Sequence, residues 1–451
     1  MKQDDRQVLK TLISLAVPTI LQEILGTFLT YVDIAMVGRL GEKATAAVST
    51  TTTVTWLVAT LPYSFAVGFM ALMSRAYGAQ DDERMYRLSR LALQMSVAVG
   101  AVMTILCVGL SPVIPVWMRA AEDIREQASL YFAIICLPSV FRSASVILGT
   151  CMQAIKDTRT PMIVDLSANI LNVGLNYIFI YTLSMGVTGA AVASAISYTL
   201  CGIAMAVVFF GKKQFAIKLT GTREMRKRDI HSTGRLMRET MKIAFPAFCT
   251  SAVSCAGYAV FAAMVSGMGT TVFAAHSIAV SAEEIFYLPG YGLRTATSAL
   301  VGISIGERDW AKLRTVKRQS IAITLGMMLL NGTLLYFAAY PMMSVFTSSV
   351  TVAGIGAEML KLVAFTEPFF GLMIVWEGIC YGFGQTKRVL AIEAVSMWGV
   401  RILLTFFVVE FWGLGLREVW YCMIADNVFK AVALTILNTA RPPEKSIRAI
   451  A

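Results

Sequence analysis

ALMSRAYGAQD, residues 71–81, returns as ALVGISIGERD at residues 299–309, with Ala, Leu, Gly and Asp at matching places 228 residues apart. The same offset pairs Pro18 with Pro246, Gly41 with Gly269, Ala46 and Ala47 with Ala274 and Ala275, and Thr158 with Thr386. Isolated Gly or Ala matches are cheap in an apolar chain. Here they coincide with matching helix boundaries and matching basic loops, so the sequence reads as an internal repeat.

What repeats is membrane-spanning helix. Of the 451 residues 57% are hydrophobic and 15% charged, with a mean hydropathy of +0.67, outside the range of soluble globular domains. Uncharged stretches at 44–74, 91–118, 243–282 and 319–357 each cover the roughly 20 residues that cross the hydrocarbon core, the last two twice over. Cutting at charged and Gly/Pro-rich breaks predicts twelve helices, at 12–37, 46–74, 91–112, 128–154, 160–182, 187–210, 240–266, 272–305, 319–342, 355–383, 389–411 and 416–438. The expected fold is therefore an all-α polytopic membrane protein of two six-helix repeats. An N-terminal lobe (1–210), a basic linker (211–240), a C-terminal lobe (241–440) and a tail (441–451) make up the chain. Six is even, so the repeats should share one orientation, related by an axis along the membrane normal.

With the N-terminus inside, cytoplasmic segments hold 29 of the 39 Lys and Arg, ten of them in 211–242. That asymmetry predicts cytoplasmic termini in a multi-pass protein of the plasma (inner) membrane. It also makes the net charge of +11 a topology signal rather than the mark of a nucleic-acid partner. Arg142, Arg294, Arg401 and Lys430 are left within the membrane and need partners. Leu12 to Val37 is too long for the apolar core of a signal peptide, so the first helix is expected to stay. The eight cysteines all fall in apolar segments without CxxC pairs, as buried thiols would.

Two repeats joined by a long linker suit a transporter that binds its substrate between rocking lobes. No GxxxxGK[ST] motif offers an ATP site, which points to an ion gradient as the energy source. Asp33, in the first helix, costs roughly 2.5–3.5 kcal/mol to insert and should have a polar partner. In helix five Asp165, Asn169, Asn172 and Asn176 are spaced 4, 3 and 4 apart and share one face. Helix six is rich in Gly, Ala and Ser and offers Ser194. Asp33, Asn172, Asn176 and Ser194 could surround a small hard cation, or Asp33 could take up a proton. The competing account is that these amides only join neighbouring helices, at about 0.6 kcal/mol per contact.

VDIAMVGRLG in helix one, SRAYGAQD after helix two, MQAIKDTRTPM after helix four, NILNVGLNYIFIY in helix five and MGVTGAAVASAIS in helix six resemble the multidrug and toxic compound extrusion (MATE) family. The resemblance covers residues 10 to 440 and includes the weaker second copies LVGISIGERD and YGFGQTK. It is greatest to the DNA-damage-inducible F (DinF) branch, whose members carry an acid in helix one and a polar cluster in helix five. The resemblance implies export of organic, often cationic compounds in exchange for Na+ or H+. Asp33 then matches the helix-one acid, Asn172 the helix-five Asn and Ser194 the helix-six hydroxyl. Asn176 stands where a second acid is usual, which puts the two-acid relay in doubt; Asp165 could supply the second charge.

Elsewhere, Glu283, Glu284, Glu367 and Glu377 are candidates for a cleft that attracts a cationic substrate, and Glu393 is the repeat counterpart of Asp165. The alternative is that Arg294, Arg401 and Lys430 pair with some of them. Glu23 carries the same ambiguity. Pro18 and Pro246 remove a backbone hydrogen bond early in the first helix of each lobe, and Pro18 is a candidate bend. His231 and His276 lack the spacing of a metal or hydrolase site, so no enzyme and no cofactor beyond the coupling ion are expected. The expected protein is a monomeric multidrug antiporter working on small organic substrates amid membrane lipid. A lipid-linked oligosaccharide flippase of the wider superfamily is the alternative, which would favour a cationic cavity.

Overall fold

The structure is a computed structural model that describes residues 3–118, 120–212, 215, 223–442 and 444. The linker expected at 211–240 lies partly, and the tail expected at 441–451 mostly, outside the described residues. Among those residues the chain is helical with no strands. In a membrane every backbone N–H and C=O must be satisfied internally, which long apolar helices achieve. In order they are α1 (Gln3–Gly38), α2 (Glu42–Gly78), α3 (Asp82–Leu110), the single turn α4 (Ile114–Trp117), α5 (Glu122–Cys136), α6 (Ser139–Ala154), α7 (Arg159–Asn176) with a π-helical end Tyr177–Thr182, and α8 (Gly186–Gly211). The second series is α9 (Arg223–Ser266), α10 (Thr270–Gly306), α11 (Trp310–Phe346), α12 (Val350–Ala364), α13 (Glu367–Gly382), α14 (Thr386–Ala394), α15 (Leu403–Phe406) between π-helical Val395–Ile402 and Phe407–Phe411, and α16 (Leu416–Ala440).

The 228-residue repeat is written in the backbone. Left-handed conformations occur at Gly41 and Gly269 (φ 107° and 113°), at Gln80 and Arg308 (54° and 56°) and at Lys156 and Gly384 (70° and 59°), each pair one repeat apart. Asp81 accepts a hydrogen bond from Arg84 N at 2.9 Å and so caps α3; Asp309 caps α11 through Lys312 N at the same distance. Such caps stabilise a helix start by about 1 kcal/mol each. The matched motifs 71–81 and 299–309 are therefore the same helix-turn-cap device used twice.

Nine helices are long and apolar enough to span a membrane, and two bent pairs bring the total to eleven among the described residues. α10, which carries His276, Glu283, Glu284 and Arg294 along its length, makes the twelfth of the two-repeat plan. The bent pairs refine the sequence expectation of unbroken helices at 128–154 and 355–383. α5 and α6 meet at 46°, and α12 and α13 meet at 59°, at equivalent points of the repeat. Proline explains the breaks: Pro138 immediately precedes α6 and Pro368 lies in the first turn of α13, where a missing N–H costs least.

By contacts the chain divides into two compact units. The N-terminal unit is Leu21–Phe248 with Gly306–Arg308; the C-terminal unit is Met1–Ile20, Cys249–Ile305 and Asp309–Ala451. In the N-terminal unit α6 packs against α2, α3 and α8. Gly100 and Gly202 make this packing close: a Cβ on Gly100 would lie 2.3 Å from Val140 Cα, and one on Gly202 would lie 2.3 Å from Phe141 O. In the C-terminal unit the equivalent helix, α13, packs against α11 and α16. The start of α1 joins its core, where Leu12, Leu15 and Ala16 meet Leu293, Ala296 and Ile374, and Thr19 Oγ1 donates to Gly292 O at 2.8 Å. Large apolar side chains such as Ile105, Val207, Phe337 and Phe411 are exposed, as expected of surfaces that meet lipid.

Candidate cation site

Three helices of the N-terminal unit bring polar atoms to Asp33. α7 supplies Asn172 and Asn176, one turn apart on the stripe expected from their spacing, and α8 supplies Ser194. Asn176 Nδ2 donates to Asp33 Oδ1. The Asn172 amide takes the orientation its neighbours dictate. Its Nδ2 donates to Asp33 Oδ1 and Oδ2 at 2.9 and 2.7 Å, and its Oδ1 accepts from Ser194 Oγ and N at 3.3 and 3.2 Å. Asn172, Asn176 and Ser194 are buried and Asp33 is half-buried.

Asn176 Oδ1 is buried and has no hydrogen-bond partner among the described residues. A buried carbonyl oxygen left unsatisfied costs about 1–3 kcal/mol, unless something else binds it. Beside it stands a carboxylate whose charge is met by two amide donors but by no Arg or Lys. One negative charge, carboxamide oxygens and a hydroxyl form a donor set for one monovalent hard cation or a proton. Multidentate metal binding has no support, since the described residues contain no group of three or more His, Cys, Asp or Glu able to hold a metal.

The surroundings fix this arrangement. α7 changes to a π-helix immediately after Asn176, a local widening often found at functional sites. From that segment Tyr181 Oη donates to Met36 O at 2.9 Å, holding the end of α1 beside α7. Val37, Ile180 and Ala190 pack beneath it.

Asp165 does not join Asp33. Seven residues before Asn172, it lies about 10 Å away along α7 in a second cluster. There it accepts from Gln22 Nε2, from Ser145 Oγ at 3.1 Å and from Cys201 Sγ at 3.2 Å. Asn169 is half-buried between the two levels, and Glu23 is exposed. Pro18 lies inside α1, which continues as one helix from Gln3 to Gly38.

The acids of the C-terminal unit divide differently. Glu377 pairs with Arg294 at 3.0 Å. Glu393 pairs with Lys430 at 2.9 Å and accepts from Ser254 Oγ at 2.5 Å. Glu283 and Glu367 are buried, and neither oxygen of Glu367 has a hydrogen-bond partner; Glu284 is half-buried. The residue that sequence reasoning missed is Asp426, which holds Arg401 at 2.8 Å and Lys430 at 3.2 Å and accepts from Ser396 Oγ. Its i, i+4 spacing to Lys430 was the available signal. Arg401 also lies over the rings of Tyr258 and Phe261. Three of the four intramembrane cations are thus neutralised within this unit. His276 packs edge-on to Phe261 and Trp420; the side chain of His231 lies outside the described residues.

Comparison with known proteins reproduces the repeat. The MatE family model matches residues 18–178 and again 246–407, starting 228 residues apart. A probable multidrug resistance protein NorM of Thermotoga maritima is 25% identical over 434 residues, covering 95% of this chain and 92% of its own. One of Photorhabdus laumondii is 26% identical over 445 residues, covering 96% of each. Among solved structures, a Vibrio cholerae MATE transporter, VcmN, in mutant form superposes with a TM-score of 0.90 at 18% identity, covering 99% of both chains. A MOP superfamily transporter from Pyrococcus furiosus superposes with a TM-score of 0.86 at 21% identity, covering 100% of this chain and 98% of that one. Matched twice by one family model, at the spacing of its own repeat and over most of its length, the chain belongs to the MatE family.

Proposed function

We propose that the protein is a multidrug efflux antiporter, exporting amphipathic organic compounds, cationic ones among them, in exchange for H+ or Na+. Its family makes it a multi-pass membrane transporter rather than an enzyme. The single observation that carries the exchange reading is the convergence of Asn172 and Asn176 on Asp33, with the buried Asn176 Oδ1 left over. The two amide donors stabilise the ionised carboxylate, leaving one negative charge for a coupling ion to neutralise. Ion binding removes that charge and its demand for amide hydrogen bonds, so occupancy changes how α1, α7 and α8 are held together. A ligand moves a conformational equilibrium only through such a difference between states. The protein works as a monomer in the plasma membrane with both termini in the cytoplasm, the arrangement its basic loops favour.

The test is efflux of ethidium from proteoliposomes under an imposed pH gradient and, separately, an imposed Na+ gradient. The gradient that drives export names the ion, and Asp33→Asn should abolish the driven component. Driven efflux that survives this substitution removes Asp33 from the coupling mechanism.

A further inference from the structure

Of the four intramembrane cations, Arg142 alone takes part in no ion pair within 4.0 Å among the described residues. It cannot reach water beyond the bilayer. α5 and α6 form one bent span, and Arg142 is 12 residues, or about 18 Å of helix, from its Ala154 end. Its backbone is clamped, because Gly100 of α3 and Gly202 of α8 touch α6 at the two preceding residues. The half-buried guanidinium lies 5.1 Å from the ring centroid of Tyr198. An arginine held at this depth without a carboxylate is expensive, and such residues mark substrate pathways.

The surroundings show what it faces. Tyr63 of α2 is 60% exposed, although Glu23, Arg142, Asp165 and Tyr198, from four other helices, act electrostatically on its hydroxyl. Its exposed surface therefore looks into a cleft of the N-terminal unit rather than outward. That cleft presents carboxylates on α1 and α7 and one guanidinium on α6, backed by tyrosine rings.

We propose that Arg142 is an anion-recognition point in this cleft, so that the transporter takes zwitterionic amphipaths whose carboxylate pairs with Arg142 while their cationic group faces Glu23 and Asp165. This rests on the export reading and narrows its substrate class. A guanidinium is always charged and offers a planar fork that matches a carboxylate. Tyr198 behind it fixes the plane and leaves the opposite face for the ligand.

The test is equilibrium binding to the purified protein of rhodamine B, which carries a carboxylate and a delocalised cation, and of its ethyl ester, which carries the cation alone. The readout is the ratio of the two dissociation constants. Arg142→Gln and Arg142→Met should each shift that ratio about tenfold against the acid, as expected for the loss of one desolvated ion pair. Arg142→Lys, which keeps the charge without the fork, should shift it less. A ratio unchanged in the charge-removing variants overturns the proposal. So does wild-type protein that does not bind rhodamine B, or failure of both variants to fold, which would make Arg142 a packing element. Binding needs no gradient: if both dyes bind as expected but neither is exported by energised vesicles, the export reading fails and this one stands.

Discussion

At the scale of single residues, the account turns on Asn176. Its amide is divided between two tasks, with Nδ2 given to Asp33 and Oδ1 left for a ligand. Asn176→Ala removes both while leaving Asp33 in place. It should weaken the coupling ion's apparent affinity by about tenfold, the equivalent of one 1.4 kcal/mol interaction, without lowering the maximal rate at saturating ion. This is measured as efflux rate against the concentration of the driving ion. An unchanged half-saturation point would make Asn176 a bystander. The stripe of Asp165, Asn169, Asn172 and Asn176 was legible in the sequence because helical periodicity is rigid over 12 residues. That Asp165 belongs to a separate cluster was not legible, since Gln22, Ser145 and Cys201 come from three other helices. Asp426 was missed for the same reason: apart from Lys430, its partners Arg401 and Ser396 lie 25 or more residues away. It joins the α14–α15 segment to α16, and Asp426→Asn leaves two buried cations short of charge. The expected cost is about 3–5 kcal/mol, read as a lower unfolding midpoint in detergent; a variant as stable as wild type would contradict the network's role.

At the scale of elements, helix existence was legible from apolar length, whereas the breaks in α5–α6 and α12–α13 were not. A proline in an apolar run signals a kink, a cap or nothing, and only packing decides among them. Close approach is decisive at Gly202. The Cβ of Gly202→Ala would sit 2.3 Å from Phe141 O, a backbone atom that cannot swing aside. The expected loss is about 1–3 kcal/mol. Gly174→Ala, with nothing within 4 Å of the new Cβ, should be neutral or slightly stabilising. Thermal unfolding of the two purified variants compares them directly. Equal midpoints would show that α6 and α8 are less tightly engaged than this packing requires. Such looseness would also weaken the clamp that positions Arg142.

At the scale of the whole molecule, the repeat was the most legible feature, because turns demand particular residues and helix starts demand caps. Gly41 with Gly269 and Asp81 with Asp309 survive for those reasons, while the lipid-facing residues between them are free to drift. The two copies share a scaffold but not their chemistry. Asp33 has Phe261 as its repeat counterpart, a core residue packed against Arg401 and His276. In the N-terminal unit an Asp is met only by neutral amides, whereas in the C-terminal unit most intramembrane acids are matched by cations. Coupling through the first copy is therefore the central claim, and it is tested by counterflow. Proteoliposomes are loaded with an ion-sensitive dye and given an outward substrate gradient without any imposed ion gradient, and internal H+ or Na+ is followed. The account predicts that substrate exit draws the coupling ion inward in wild type, and that Asp33→Asn still binds substrate but moves no ion. Ion uptake of wild-type size in Asp33→Asn would contradict it.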